Sequence, residues 1–191
     1  LGYSGLGYAY YFSGDFGKAK ENFEHALSLK PDFVESLSGL GWVYMQEGEY
    51  DHAGRKFSDA LNIDPQNIDS HLGLGWVYLN QSDSENSRKE FEFVKSTAPE
   101  LAESYYGLGT LELSNNDFEN AVLLLDESLR LNPNNIFAYL FKGYAYYRQG
   151  EYSAAESAFQ SALKIQPHFY EALIGIGDIR VTRYELETGM D

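Results

Sequence analysis

Apolar residues recur along the chain at the three- and four-residue spacing of an amphipathic helix, and the whole pattern repeats after 34 residues. Between Gly41 and Pro65, two helical patterns flank the polar interruption Glu47-Gly48-Glu49-Tyr50. A glycine there favours a tight turn between helices, because glycine enters the left-handed region of φ at little cost. Each unit is therefore predicted to contain a helix A of about 14 residues, a short turn and a helix B of similar length.

Two residue columns fix the phase of the repeat. All five prolines are 34 residues apart, at Pro31, Pro65, Pro99, Pro133 and Pro167. A glycine column keeps step with them at Gly7, Gly41, Gly75, Gly109, Gly143 and Gly177. The predicted units are 1–33, 34–67, 68–101, 102–135, 136–169 and a partial unit 170–191, which form a single array over residues 1–191.

Short polar motifs predict where the helices begin and turn. Asp64-Pro65 and Asn132-Pro133 are typical of an N-cap followed by proline at the first helical position. Asn116 replaces the turn glycine in the fourth unit, as a residue that tolerates left-handed backbone can. The third unit lacks the turn glycine, so we expect the fastest amide exchange of the array at residues 82–89.

Each unit repeats one spacing of small and apolar residues. The second unit, for example, reads Leu37-x2-Leu40-Gly41-x2-Tyr44, then Ala53-x3-Phe57, Ala60 and Pro65. This pattern resembles the tetratricopeptide repeat, a 34-residue helix–turn–helix unit, over essentially the whole chain. The resemblance implies an all-α, right-handed α-α superhelix (solenoid) of about eleven helices, whose A helices line a concave face that binds peptides.

On the A helices, the resemblance directs attention to a few inward positions of each unit. Both tryptophans of the chain occupy the ninth position, one repeat apart, and tyrosines flank them in other units. The second position is mostly acidic and the sixth is mostly glycine. The predicted peptide-binding residues are Tyr8, Tyr11, Trp42, Trp76, Tyr144 and Tyr147, with the carboxylates Glu35, Asp69 and Glu103.

This aromatic column permits two interpretations. In one, the rings form a ladder beside shallow glycine floors, with a rim of carboxylates, and bind an extended or helical segment through apolar anchors. In the other, the rings fill the spaces left by the glycines and pack neighbouring A helices together. The sequence leaves both open.

The charge balance narrows the class of partner. The 191 residues contain 29 acidic and 14 basic side chains, a formal net charge of −15. Nucleic acids and anionic membranes require neutralisation by Lys or Arg, so neither is expected as a partner. A protein or peptide with basic flanks is compatible with this charge.

No arrangement in the sequence suggests catalysis. The four histidines fall in different columns of different repeats, which argues against a metal site, and His71 occupies a column expected to pack between helices. There is no cysteine. We expect no cofactor and no enzymatic activity, and the main prediction is a protein-interaction scaffold.

Two alternatives to a peptide-binding groove remain. The array could present substrates within a larger enzyme, or it could join copies of itself through apolar ends left open by the first and last units. The chain starts inside a repeat, at Leu1, which suggests a piece of a longer protein.

Overall fold

The computed structural model describes residues 2–188, which are all-α. These residues form eleven helices and no strand, which confirms the predicted fold class and helix number. The helices are α1 (Gly2–Phe12), α2 (Phe16–Leu29), α3 (Val34–Glu47), α4 (Tyr50–Ile63), α5 (Ile68–Asn80), α6 (Ser84–Thr97), α7 (Ala102–Ser114), α8 (Phe118–Leu131), α9 (Ile136–Arg148), α10 (Tyr152–Ile165) and α11 (Tyr170–Thr188). Odd numbers are the A helices of the predicted units and even numbers the B helices.

The chain divides into two compact units, the first ending at Ala98 and the second beginning at Pro99. Helices α1–α6 form the first and α7–α11 the second. Within each unit, every helix packs against its neighbours in sequence, and each A helix also packs against the next A helix. Successive B helices make no such contact within the described part of either unit. The A helices therefore form the more tightly packed side of each unit.

The turns between helices A and B share one backbone geometry. Gly14, Gly48 and Gly150 have φ of 81°, 75° and 79°, and Ser82 and Asn116 adopt the same left-handed conformation at 61° and 62°. In the third repeat, Asp83 N–H donates to the Tyr78 carbonyl at 2.8 Å, the long-range bond of a Schellman motif. The predicted role of Asn116 is confirmed, and the third repeat keeps the turn with serine in the position of glycine.

The predicted start of the A helices is wrong by three residues. Asp64 is the C-cap of α4, and Pro65 lies in the turn that follows. The N-cap of α5 is instead Asn67, whose side chain accepts from Ser70 N–H at 2.9 Å.

The same correction applies before α9. Asn132 is the C-cap of α8, and Asn135 caps α9 by accepting from Ala138 N–H at 3.0 Å. The carboxylate of Asp64 and the amide of Asn132 instead accept from the backbone two residues on, at Gln66 and Asn134. Such Asx turns explain why Asp or Asn stands before these prolines.

Phenylalanine rings on the B helices fill the core of most repeats. Phe23, Phe57, Phe91 and Phe159 are fully buried. A Cβ atom built on Gly41 or Gly73 would lie 2.7 Å or 2.3 Å from the nearest Phe57 ring atom. The Phe57 ring therefore lies between glycines of two successive A helices, which approach closely because neither has a side chain there.

The core of the fourth repeat has a smaller residue on the B helix and a larger residue on the next A helix. Leu125 replaces the B-helix phenylalanine, and Phe141 replaces the glycine on the next A helix. Leu125 and Ala138 are buried in one cluster, and the Phe141 ring packs against it. A larger A-helix residue thus compensates for a smaller B-helix residue.

Candidate functional site

The ninth-position aromatic residues pack on the core through one side of the ring. Tyr8 lies edge-to-face with Phe23 at 5.0 Å between ring centroids, and Trp42 lies edge-to-face with Phe57 at 5.2 Å. Trp76 and Tyr144 repeat this geometry at 5.2 Å on Phe91 and Phe159. Tyr8, Trp42, Trp76 and Tyr144 are only half-buried. The rings therefore pack on B-helix phenylalanines and still present part of their surface to solvent.

The polar atoms of these rings point to the start of the next A helix. Tyr8 Oη donates to the Glu35 carbonyl oxygen at 2.9 Å. Trp42 Nε1 donates to Asp69 Oδ1, also at 2.9 Å. Each bond joins a ninth position to the second position of the following repeat and so fixes the orientation of the ring.

Two predicted tyrosines at the twelfth position are held in the same manner. Gln46 Nε2 donates to Tyr11 Oη at 3.3 Å, and Tyr147 Oη lies 3.0 Å from Thr182 Oγ1. Both rings are half-buried. Gln46 was not predicted as a site residue, although its thirteenth position faces inward in the family pattern.

The three predicted carboxylates occupy different environments. Glu35 and Glu103 are exposed, whereas Asp69 is half-buried beside Trp42. Burial raises the pKa of Asp69, and the hydrogen bond from Trp42 offsets only part of this effect. Burial, followed by the charges of Asp69 and Glu35, raises the pKa of Tyr8. The first compact unit thus gathers several aromatic rings and two carboxylates on its A helices.

The A helices of the first compact unit contain no Lys or Arg. Over α1, α3 and α5 the charged side chains, histidine aside, are Glu35, Glu47 and Asp69. Of these three, only Glu47 forms an ion pair with another described residue, as Lys20 Nζ of α2 lies 3.1 Å from its Oε2. The basic residues of this unit lie on B helices or in turns, so the A-helix side is acidic and aromatic.

The structure does not support the predicted glycine floors. Gly39 and Gly73 are buried, and a Cβ on either would lie 2.4 Å or 2.3 Å from a phenylalanine ring of the preceding B helix. The sixth position therefore faces the core, and its glycines serve helix packing. The expectation of shallow glycine floors beside the aromatic ladder was wrong at these two positions.

The predicted residues fall into both compact units. The first contains Tyr8, Tyr11, Glu35, Trp42, Asp69 and Trp76, and the second contains Glu103, Tyr144 and Tyr147. The first set is therefore the larger candidate surface. We call these six residues the A-helix surface.

His71 makes contacts that its column did not predict. Its Nδ1 lies 2.6 Å from Glu90 Oε2, its Nε2 lies 3.1 Å from the Pro65 carbonyl oxygen, and its ring lies on Phe93. The Pro65 carbonyl oxygen and an ionised Glu90 carboxylate can only accept hydrogen bonds. Both ring nitrogens of His71 must then donate, so the geometry fits the doubly protonated imidazolium. The ring packs between α5 and α6.

Within residues 2–188, no three His, Cys, Asp or Glu side chains are grouped as metal ligands would be. No helix in that range is both long enough and apolar enough to cross a membrane.

Comparison with known families identifies the repeat. Tetratricopeptide repeat models match residues 1–33, 72–136 and 136–169, and a further TPR repeat model matches residues 41–82. The chain belongs to the tetratricopeptide repeat family. Members of this family are generally non-catalytic repeats that mediate protein interactions. No curated protein sequence matches the chain.

Solved structures share the fold at low sequence identity. PilF of Pseudomonas aeruginosa has a TM-score of 0.79 at 22% identity, covering 98% of this chain and 85% of its own. A thermophilic TPR protein of Thermus thermophilus has a TM-score of 0.82 at 17% identity, covering 94% and 98%. YrrB, described as a TPR protein with an unusual peptide-binding site, has a TM-score of 0.63 at 19% identity, covering 90% and 88%.

Proposed function

We propose that this protein is a non-catalytic scaffold that binds a protein segment with apolar anchors and basic flanks on the A-helix surface. The observation that supports it is the coincidence of partly exposed aromatic rings with carboxylates on helices that have no Lys or Arg. Within the second compact unit, Glu103, Tyr144 and Tyr147 are proposed as further peptide-contact residues. The unusual peptide-binding site described for YrrB agrees with this class of function.

The fixed rings reduce the cost of binding. Tyr8 and Trp42 each pack on a buried phenylalanine and donate a hydrogen bond to the next repeat. Their side chains therefore lose little conformational freedom when a ligand covers the exposed part. Aromatic anchors of this type dominate the energetics of many protein interfaces.

A selection experiment with matched charge variants tests this proposal. Peptides from a random displayed library would be selected on the purified protein, and the affinity of the best peptides would be measured by fluorescence anisotropy. We expect Arg or Lys beside Leu, Phe or Trp. Glu35→Gln/Glu103→Gln should weaken binding several-fold at low salt, because Coulomb attraction between exposed charges is screened by salt.

The control removes the same amount of negative charge from two B helices. Glu24 on α2 and Glu119 on α8 are exposed B-helix residues, so Glu24→Gln/Glu119→Gln changes net charge equally. This variant should bind the selected peptides as the wild type does. Selection of acidic peptides, or equal losses in the two double variants, would contradict the proposal.

Self-association is a second candidate function, favoured by apolar side chains on the terminal helices. On α1, Leu6 and Phe12 are 48% and 81% exposed. On α11, Ile174 and Val181 are 59% and 57% exposed. Light scattering over a concentration series distinguishes the two functions, because a peptide-binding monomer keeps a constant mass.

A further inference from the structure

We infer that Asp69, together with Tyr8, Tyr11 and Trp42, forms a site for one arginine side chain of the bound segment. This inference rests on the proposed function and deepens it, since it assigns one residue type of the partner to one place on the A-helix surface. The guanidinium would bond to the Asp69 carboxylate, and the side chain would lie along the neighbouring rings.

The first argument is the incomplete set of partners around Asp69. Its Oδ1 accepts from the Trp42 indole N–H at 2.9 Å. Among the described residues, Oδ2 has no hydrogen-bond partner and the carboxylate has no ion pair. A carboxylate partly removed from water is costly unless it is paired, so the site has unused capacity for a cation.

The second argument is the electrostatic setting. Burial raises the pKa of Tyr8 and of Tyr11, and the charge of Asp69 adds to this effect at both hydroxyl groups, although at Tyr11 the hydrogen bond with Gln46 acts in the opposite direction. The hydrogen bond from Trp42 joins Asp69 to the second repeat, and its charge acts on the two tyrosines of the first. Because α1, α3 and α5 supply no Lys or Arg, and none of the described Lys or Arg side chains pairs with Asp69, we assign the cation to the partner.

The third argument concerns the shape of the cation. A guanidinium is planar, bonds to carboxylate oxygens and stacks on aromatic rings, whereas an ammonium is compact and more strongly hydrated. The rings of Tyr8, Tyr11 and Trp42 are all partly exposed. A half-buried carboxylate among such rings therefore favours arginine over lysine.

Asp69 is more buried than the residue at the equivalent position of the second repeat. Glu35 also stands at the second position, but the Tyr8 hydroxyl bonds to its backbone carbonyl, and its carboxylate is exposed. An exposed carboxylate attracts cations weakly and without a fixed geometry. The arginine is therefore assigned to Asp69 and not to Glu35.

The test uses small probes on the whole protein at low salt. N-acetyl-L-arginine N-methylamide would be titrated and followed by the NMR signal of the Trp42 indole N–H, assigned with a Trp76→Phe variant. The citrulline analogue, which has nearly the same shape and no charge, and the lysine analogue would be titrated in parallel. We expect saturable shifts with arginine and binding weaker by about ten-fold with citrulline.

Protein variants complete the test. Asp69→Asn should bind the arginine probe about ten-fold more weakly. Glu24→Gln, which removes one exposed charge from the B helix α2, should bind it as the wild type does. In the wild-type protein, the arginine probe should also lower the pKa of Asp69, followed by its side-chain carboxyl carbon signal. This last measurement needs no variant and holds if Asp69→Asn fails to fold.

Four results would overturn the inference. Equal binding of the citrulline probe, or an unchanged pKa of Asp69 in the presence of arginine, would exclude the ion pair. Equal binding of the lysine probe would overturn the assignment to arginine. If selected peptides bind in a manner sensitive to Glu35 and Glu103 but not to Asp69, the inference fails while the proposed function stands.

Discussion

Gly39 and Gly73 lie in the interior of helices, where glycine is less favourable than alanine by about 0.5–1 kcal/mol. The structure shows the reason for them. Each faces a phenylalanine ring of the preceding B helix at a distance that a Cβ atom could not occupy. The ring of Phe57 cannot move aside, because Gly41 lies against it from the other A helix. At these positions helix propensity is lost in exchange for core packing.

Alanine substitution separates packing glycines from the rest. Gly73→Ala should destabilise the protein by up to about 2 kcal/mol, because overpacking costs about 1–3 kcal/mol and the gain in helix propensity offsets about 1 kcal/mol. Gly5→Ala is the control, since nothing lies within 4 Å of a Cβ at Gly5. It should stabilise by about 0.5–1 kcal/mol. Urea denaturation measures both, and equal effects would refute this account.

His71 should make stability depend on pH. Burial alone lowers the pKa of His71, but the hydrogen bonds to Glu90 and the Pro65 carbonyl outweigh it, so the pKa is raised in the folded protein. Its contribution is therefore complete below the unfolded-state pKa of about 6.5 and is lost as pH rises through the folded-state value.

A His71→Gln variant tests this sign. The wild-type melting temperature should fall more steeply above about pH 6.5 than that of the variant, since glutamine does not titrate. Parallel pH profiles for the two proteins would show that the His71–Glu90 pair contributes nothing measurable.

At the scale of the elements, the sequence predicts the type and number of helices because each unit repeats the same apolar spacing. It does not predict the helix starts as well. Asp64 and Asn132 satisfy the local pattern of an N-cap, but the side chain of each stabilises an Asx turn. The helices begin after Asn67 and Asn135. Local sequence allows the same side chain to stabilise either structure.

The third turn yields an element-scale prediction. Ser82 has a φ of 61°, a conformation that costs a non-glycine residue about 1–2 kcal/mol. Ser82→Gly should therefore stabilise the protein by about 1 kcal/mol. Hydrogen exchange should be fastest at residues 82–89 in the wild type and slower there in the variant. Equal protection of the amide hydrogens across all the turns of both proteins would contradict the two expected differences in exchange rate.

At the scale of the whole molecule, the repeat pattern was sufficient to predict the family and the fold. The candidate site was predictable only in part. The columns located Trp42 and Asp69, but the hydrogen bond between them joins two repeats. It depends on the exact position of each helix along its own axis. The sixth-position glycines were assigned to the wrong surface, because the repeat pattern does not show which neighbouring residue each position faces.

Chemical-shift mapping of a bound peptide tests the central claim most directly. The best selected peptide would be added to isotope-labelled protein, and amide and indole shifts would be recorded along the chain. We predict the largest changes on α1, α3 and α5, with the Trp42 indole among them, and small changes on α2, α4 and α6. Changes concentrated on the B helices, for example at Tyr50, Arg55 and Asp59 of α4, which line one side of a 310 Å³ pocket, would contradict the account.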